Sequence, residues 1–150
     1  WTFPGANGQL GIRLNNDSLF LTTISLLMPA SGDRRPPSCA PRDVVVWGIL
    51  TQDANLSSVF DLHEGLTVLD DLAGTLPVGI PLPVHDERDT VLPLASFRYN
   101  KYQSELEQTF HLRQPVIGMG LRFGVVVVQV LNNWGGASTC IDRIYLQGCQ

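Results

Sequence analysis

Apolar and polar residues alternate along most of this chain, with the two-residue period of a pleated strand rather than the 3.6-residue period of a helix. In "QLGIRL" the residues Leu10, Ile12 and Leu14 share one face. "LFLTTISLLM", Leu19 to Met28, reads as the next strand across a polar turn at Asn15, Asn16 and Asp17. The stretch "PASGDRRPPSCAPRD" then breaks the pattern, because its prolines lack the amide donors that a strand interior needs. The sheet resumes at "VVVWGIL", Val44 to Leu50. "LPLASFRY", "EQTFHLR" and "MGLRFGVVVVQVLNN" predict three further strands, and "CIDRIYLQG" closes the chain. Roughly eight strands joined by Gly- and Pro-bearing turns predict an all-β fold, an antiparallel β-sandwich.

One segment stands apart. Between Asp53 and Val91 the alternation fades into short apolar pieces mixed with Gly, Pro and acids. A connection of that length without structure is unusual in a compact domain, so an insertion with its own short helix or hairpin is expected over 53–91. Its "LTVLDDLAGTLPVGIPLPV" is apolar enough to pack on the sandwich, or to cover a groove and contribute an interface.

Composition supports this outline. At 150 residues the chain fits one domain with a real core, and 16% charged residues with Gly 14 and Pro 10 suit sheets and turns better than helical bundles. Ten basic against 14 acidic residues give a net charge of −4, which offers no basic footprint for phosphate backbones. Nucleic acid is therefore not an expected partner. No apolar run approaches the roughly 20 residues that cross a bilayer, and no signal-peptide pattern is present, so no membrane contact is expected. The opening "WTFPGANGQL" has no Met and is aromatic from its first residue, which reads as the start of a fragment.

The three cysteines, Cys39, Cys140 and Cys149, allow at most one internal disulfide and are spaced too widely for a zinc knuckle. The sequons at Asn16 and Asn55 add a second hint of an oxidising compartment. Cys140 fits two readings: a buried small hydrophobe, or half of a disulfide that pins the last strand. Cys149, next to the final residue, reads as an exposed thiol.

Catalytic chemistry finds little footing. His63, His85 and His111 are scattered without metal-ligand spacing, and there is no nucleophile elbow or phosphate-binding glycine loop. His85 in "HDERD" and the neighbouring acids Asp70 and Asp71 read as solvated loop charges. No catalytic residue, metal site or cofactor is assigned, and an enzyme is not expected. Trp134 reads as a core anchor, with Gly135 and Gly136 letting the backbone turn sharply beside its ring.

Four stretches in this order, "WTFPGANGQLGIRL", "APRDVVVWGI", "QTFHL" and "VQVLNNWGGASTCIDRIYLQG", resemble the segments of a SUN domain. "NWG" followed by "TC" and Arg143, with "APRD" ahead of a strand, is short piecewise but specific in combination. The resemblance covers most of 1–50 and 94–148 and leaves out the middle insertion. It implies a lumenal β-sandwich of an inner nuclear membrane protein, facing the perinuclear space. Such domains trimerise above a coiled coil and bind the extreme C-terminal peptide of KASH proteins, forming the bridge known as the LINC complex.

By resemblance, the peptide's terminal carboxylate is received near Gly8, Cys39, Ser138 and Asp142, while Asn133, Trp134, Gly135 and Cys140 hold the corner in shape. Cys39 stands where the family has serine, and Ser138 and Asp142 stand where it has tyrosines. The family's histidine after the second strand has only Leu27 or Met28 opposite it. An anionic Asp142 beside a carboxylate pocket would repel the ligand unless it faces away or is protonated. The family's partner for the cysteine matching Cys140 directly precedes the tryptophan matching Trp1; a Cys39–Cys140 bridge or a free Cys39 thiol are the other possibilities. The family's lid hairpin, cation loop and coiled coil also lie upstream of Trp1. A trimer is thus implied for the full-length protein and a monomer for this chain, with a carbohydrate-binding or other ligand-binding sandwich as the alternative function.

Overall fold

β-branched and aliphatic residues form strands wherever they alternate or run together, because they pack well on a pleated surface. The computed structural model describes residues 1–15, 20–30, 36–50, 79–86, 89–112 and 123–149. Among these the strands are β1 (Thr2–Pro4), β2 (Gly8–Arg13), β3 (Phe20–Leu27), β4 (Pro41–Leu50), β5 (Val91–Arg98), β6 (Glu107–His111), β7 (Phe123–Asn133), β8 (Ser138–Cys140) and β9 (Arg143–Cys149). Every pairing is antiparallel. A four-stranded sheet of order β2-β7-β4-β5 and a three-stranded sheet of order β6-β3-β9 are joined at one end by the β1-β8 pair.

The expected all-β sandwich is therefore the observed fold. Its main core lies between the two larger sheets, where Ile24 and Leu26 of β3 meet Val44 and Val46 of β4 and Val126 and Val128 of β7. Each such buried aliphatic contributes about 1.5–3 kcal/mol relative to an exposed one. A second apolar cluster, Val45, Trp47 and Val127, lies on the outer face of the four-stranded sheet. β4 and β7 are thus buried on both faces along much of their length, which is why residues 44–50 and 125–128 run apolar without a break.

Several boundaries differ from the sequence expectation. β2 and β3 follow one another in the chain yet sit in different sheets, and Asn16 and Asp17 of the turn expected between them lie outside the described residues. β4 begins at Pro41, where a first strand residue needs no ladder amide. The expected last strand is two, because Ile141 turns into the core and the Asp142 amide bonds the Leu27 carbonyl at 2.9 Å. That step carries the chain from the β1 partner to the β3 partner. β1 has too few residues for its alternation to register. Val91 belongs to β5, so the insertion ends one residue before it. The insertion's expected helix or hairpin, both sequons, His63, Asp70, Asp71 and the Cys149 side chain lie outside the described residues.

Candidate functional site

The proline-broken segment and the "NNWGG" turn meet at one corner of the sandwich. Cys39 and Cys140 form a disulfide with their Cα atoms 5.2 Å apart. Backbone bonds reinforce it: the Cys140 amide donates to the Cys39 carbonyl at 2.8 Å, the Gly136 amide to Ser38 at 3.1 Å, and the Trp134 amide to Ala40 at 3.2 Å. Two stretches separated by about a hundred residues of chain are thereby held as one unit.

Asn133 organises the turn from inside. Its buried amide nitrogen lies 2.9 Å from the carbonyls of Gly136 and Ser138 and 3.2 Å from Thr139 Oγ1, while its Oδ1 accepts from the Gly135 amide at 2.9 Å. Thr139 in turn donates to the Gly5 carbonyl at 2.9 Å, tying β8 to the loop after β1. Gly135 takes a φ of +98°, a conformation that costs other residues strain. Gly136 is required for closeness instead, since a methyl group there would fall 2.9 Å from both Cys39 Cα and the Ser138 carbonyl oxygen.

The sequence-assigned site residues separate into two groups. Cys39 and Ser138 both pack around Gly136. Gly8 lies instead on β2 opposite Val130, where an added methyl group would fall 2.6 Å from the Phe3 ring, and Phe3 in turn pairs with Thr139 of β8. Asp142 sits past the disulfide, with its side chain 51% exposed and its carboxylate 3.9 Å from Arg143 Nε. Of the two residues weighed at the end of β3, Met28 is buried and Leu27 is half-buried.

Of the pairings left open for Cys140, the structure shows the bridge to Cys39, and beside it the Trp1 nitrogen donates to the Ile141 carbonyl at 2.7 Å. Antiparallel pairing of β1 with β8 sets that arrangement, while the loop before β4 brings Cys39 across. Trp134, expected as a core anchor, packs against the main core but only half-buried at its rim, and donates its Nε1–H to the Tyr99 carbonyl at 3.0 Å. Cations cap its ring, with Lys101 Nζ 5.1 Å and the Arg42 guanidinium 5.8 Å from the centroid. The buried tryptophan is Trp47, whose Nε1–H donates to Gln129 Oε1 at 2.8 Å.

Tyr102 is the residue that sequence reasoning missed here. It is 77% exposed and meets Trp134 edge-on at 5.4 Å, on a turn held by reciprocal bonds between Gln108 and the Asn100 backbone. The signal in "RYNKYQSE" was the polar break after β5, which marks a turn but not what the turn presents.

Charges beside this surface are mutually satisfied. Arg98 and Arg42 reach the Asp43 carboxylate at 2.7 and 3.0 Å. Burial works to raise the Asp43 carboxyl, but hydrogen bonding with Arg98, Asn132 and Arg42 outweighs it and holds the group below its usual range. Burial pushes the Tyr99 phenol, which donates to the Leu106 carbonyl, up to about 12. His85 bonds the Pro83 carbonyl through Nδ1, and His111 sits exposed on β6. Among the described residues no three His, Cys, Asp or Glu side chains gather where they could hold an ion. No family model matches the chain, and no curated protein sequence matches it.

Proposed function

We propose that this chain is a SUN-like binding module of the perinuclear space that receives the C-terminal tail of a KASH protein, as part of a bridge from nucleus to cytoskeleton. On this reading the chain binds rather than catalyses, and needs no cofactor. What carries it is the meeting of "SCAPRD" with "NNWGGASTC": the two stretches on which the resemblance rests most heavily share a corner through a disulfide and three backbone hydrogen bonds. The disulfide also suits an oxidising lumen. Calorimetric titration with a KASH-type peptide, free or amidated at its C-terminus, tests the assignment. The free acid should bind, and amidation or Ser138→Asp should abolish the heat. Equal binding of acid and amide, or none of either, would overturn it.

Exposed Tyr102 beside Trp134 favours a second reading, a carbohydrate-binding sandwich, because an exposed aromatic ring is the usual platform for a sugar. Its partner ring is already capped by Lys101 and Arg42, which weighs against it. Glycan binding lost on Tyr102→Ala, with peptide binding intact, would select this alternative.

A further inference from the structure

The outer face of the four-stranded sheet carries a feature that the corner does not explain. Residues 79–86, "GIPLPVHD", cross it as a strap that joins no sheet. Ile80 packs on the Val45, Trp47 and Val127 cluster, and Pro83 is buried. Leu82 and Val84 point outward, 58% and 82% exposed.

Two glutamines hold the strap by its backbone. Gln9 of β2 and Gln129 of β7 are directly paired across the sheet. Gln129 Nε2 donates to the Pro81 carbonyl at 3.2 Å, and Gln9 Oε1 accepts from the Val84 amide at 3.0 Å. The Gln129 amide is oriented by Trp47, which donates to its Oε1. A cleft of about 750 Å³, lined on the sheet side by Asn7, Gly8, Gln9, Gln129, Val130 and Leu131, runs beside the strap.

This is how a protein holds an extended peptide: side-chain amides take a carbonyl and an N–H three residues apart, and an apolar surface takes the side chain that points inward. A proline-containing segment suits such a groove because its backbone is pre-extended and makes no internal hydrogen bonds. Among the described residues no charged side chain lines the cleft. We infer that the outer face is a binding groove for an extended, uncharged peptide of pattern aliphatic-Pro-aliphatic-Pro-aliphatic supplied by a partner protein, and that residues 79–86 are its built-in competitor. The strap's own chemistry identifies the occupant, since it is already seated there.

The groove rests on Gln9, Gln129 and the strap, and stands whether or not the disulfide corner takes a carboxylate. A fluorescent peptide of residues 79–84, which has no acidic side chain and is amidated at its C-terminus so that no carboxylate site can capture it, is titrated by anisotropy against the full chain. Wild-type protein should bind it weakly. Ile80→Asp, which places a charge in the apolar seat of the strap, should raise affinity at least tenfold, and adding Gln9→Ala should cancel most of the gain. Val84→Pro offers a second release: the site is exposed, so the fold is spared, while the N–H that Gln9 accepts is removed. The same proline in the peptide should weaken its binding to the opened groove. Two results would overturn the inference: opened variants with native circular dichroism that bind no better than wild type, or variants that dimerise in place of taking the peptide, which would give the groove to a second copy of this chain.

Discussion

Replacing both Cys39 and Cys140 by alanine removes a cross-link between residues 101 apart in sequence. Closing a loop of about 100 residues in the unfolded chain is worth about 4.7 kcal/mol at 25 °C in the chain-entropy treatment. A domain of this size is stable by only about 5–15 kcal/mol in total, so the bridge accounts for a large share. The folded corner loses less, because the Cys39–Cys140, Ser38–Gly136 and Ala40–Trp134 backbone bonds remain available. Urea unfolding followed by tryptophan emission reads the difference. Oxidised wild type should exceed the double-alanine variant by about 4–5 kcal/mol. Reductant should bring wild type down to the variant and leave the variant unmoved. The variant's urea dependence should also steepen, since its unfolded chain exposes more surface. One thiol per native chain should titrate, three cysteines less the two in the bridge. Three titrating thiols, or a stability indifferent to reductant, would refute this account of the corner.

Other perturbations probe its neighbours. Gly136→Ala forces a methyl group against the Cys39 and Ser138 backbones and should cost about 1–3 kcal/mol in the same unfolding assay. Tyr99 is neutral in the fold up to about 12, against an ordinary phenol near 10. Its contribution is whole below the ordinary value and is lost as pH climbs from there to the folded value, so Tyr99→Phe should flatten the alkaline limb of a stability profile. Asp43 runs the other way. Its folded carboxyl is lowered from 3.8, so its stabilisation is present above that value and is lost as pH falls through the depressed one. Asp43→Asn should therefore make stability less sensitive to acid, by an amount kept small because both arginine partners are exposed.

The sandwich was legible because alternation survives in β2 and β6, where one face of each strand is more covered than the other. β4 and β7 carried a different message in their unbroken valines: a sheet covered on both sides, and hence something lying over its outer face. The strap 79–86 begins within the stretch whose apolar content predicted packing on the sandwich, but no local pattern marked Gln9 and Gln129 as the residues that hold it. The disulfide partner was only one of several possibilities, because pairing depends on where the loop before β4 passes, and no local pattern records that. Trp134 was misplaced for a related reason. Its apolar ring suggested the core, while the cations that cap it come from Arg42 and Lys101, remote in sequence and aligned only by the fold.

The most direct test of the proposed function follows the backbone amides of Cys39, Ser138 and Asp142 by nuclear magnetic resonance during titration with a free-acid KASH-type peptide. Resonances of residues 79–84 serve as the internal control. Shifts that saturate together at the disulfide corner, and that vanish with the amidated peptide, are the predicted result. A spectrum that does not change, or changes confined to the strap and the outer face, would contradict it.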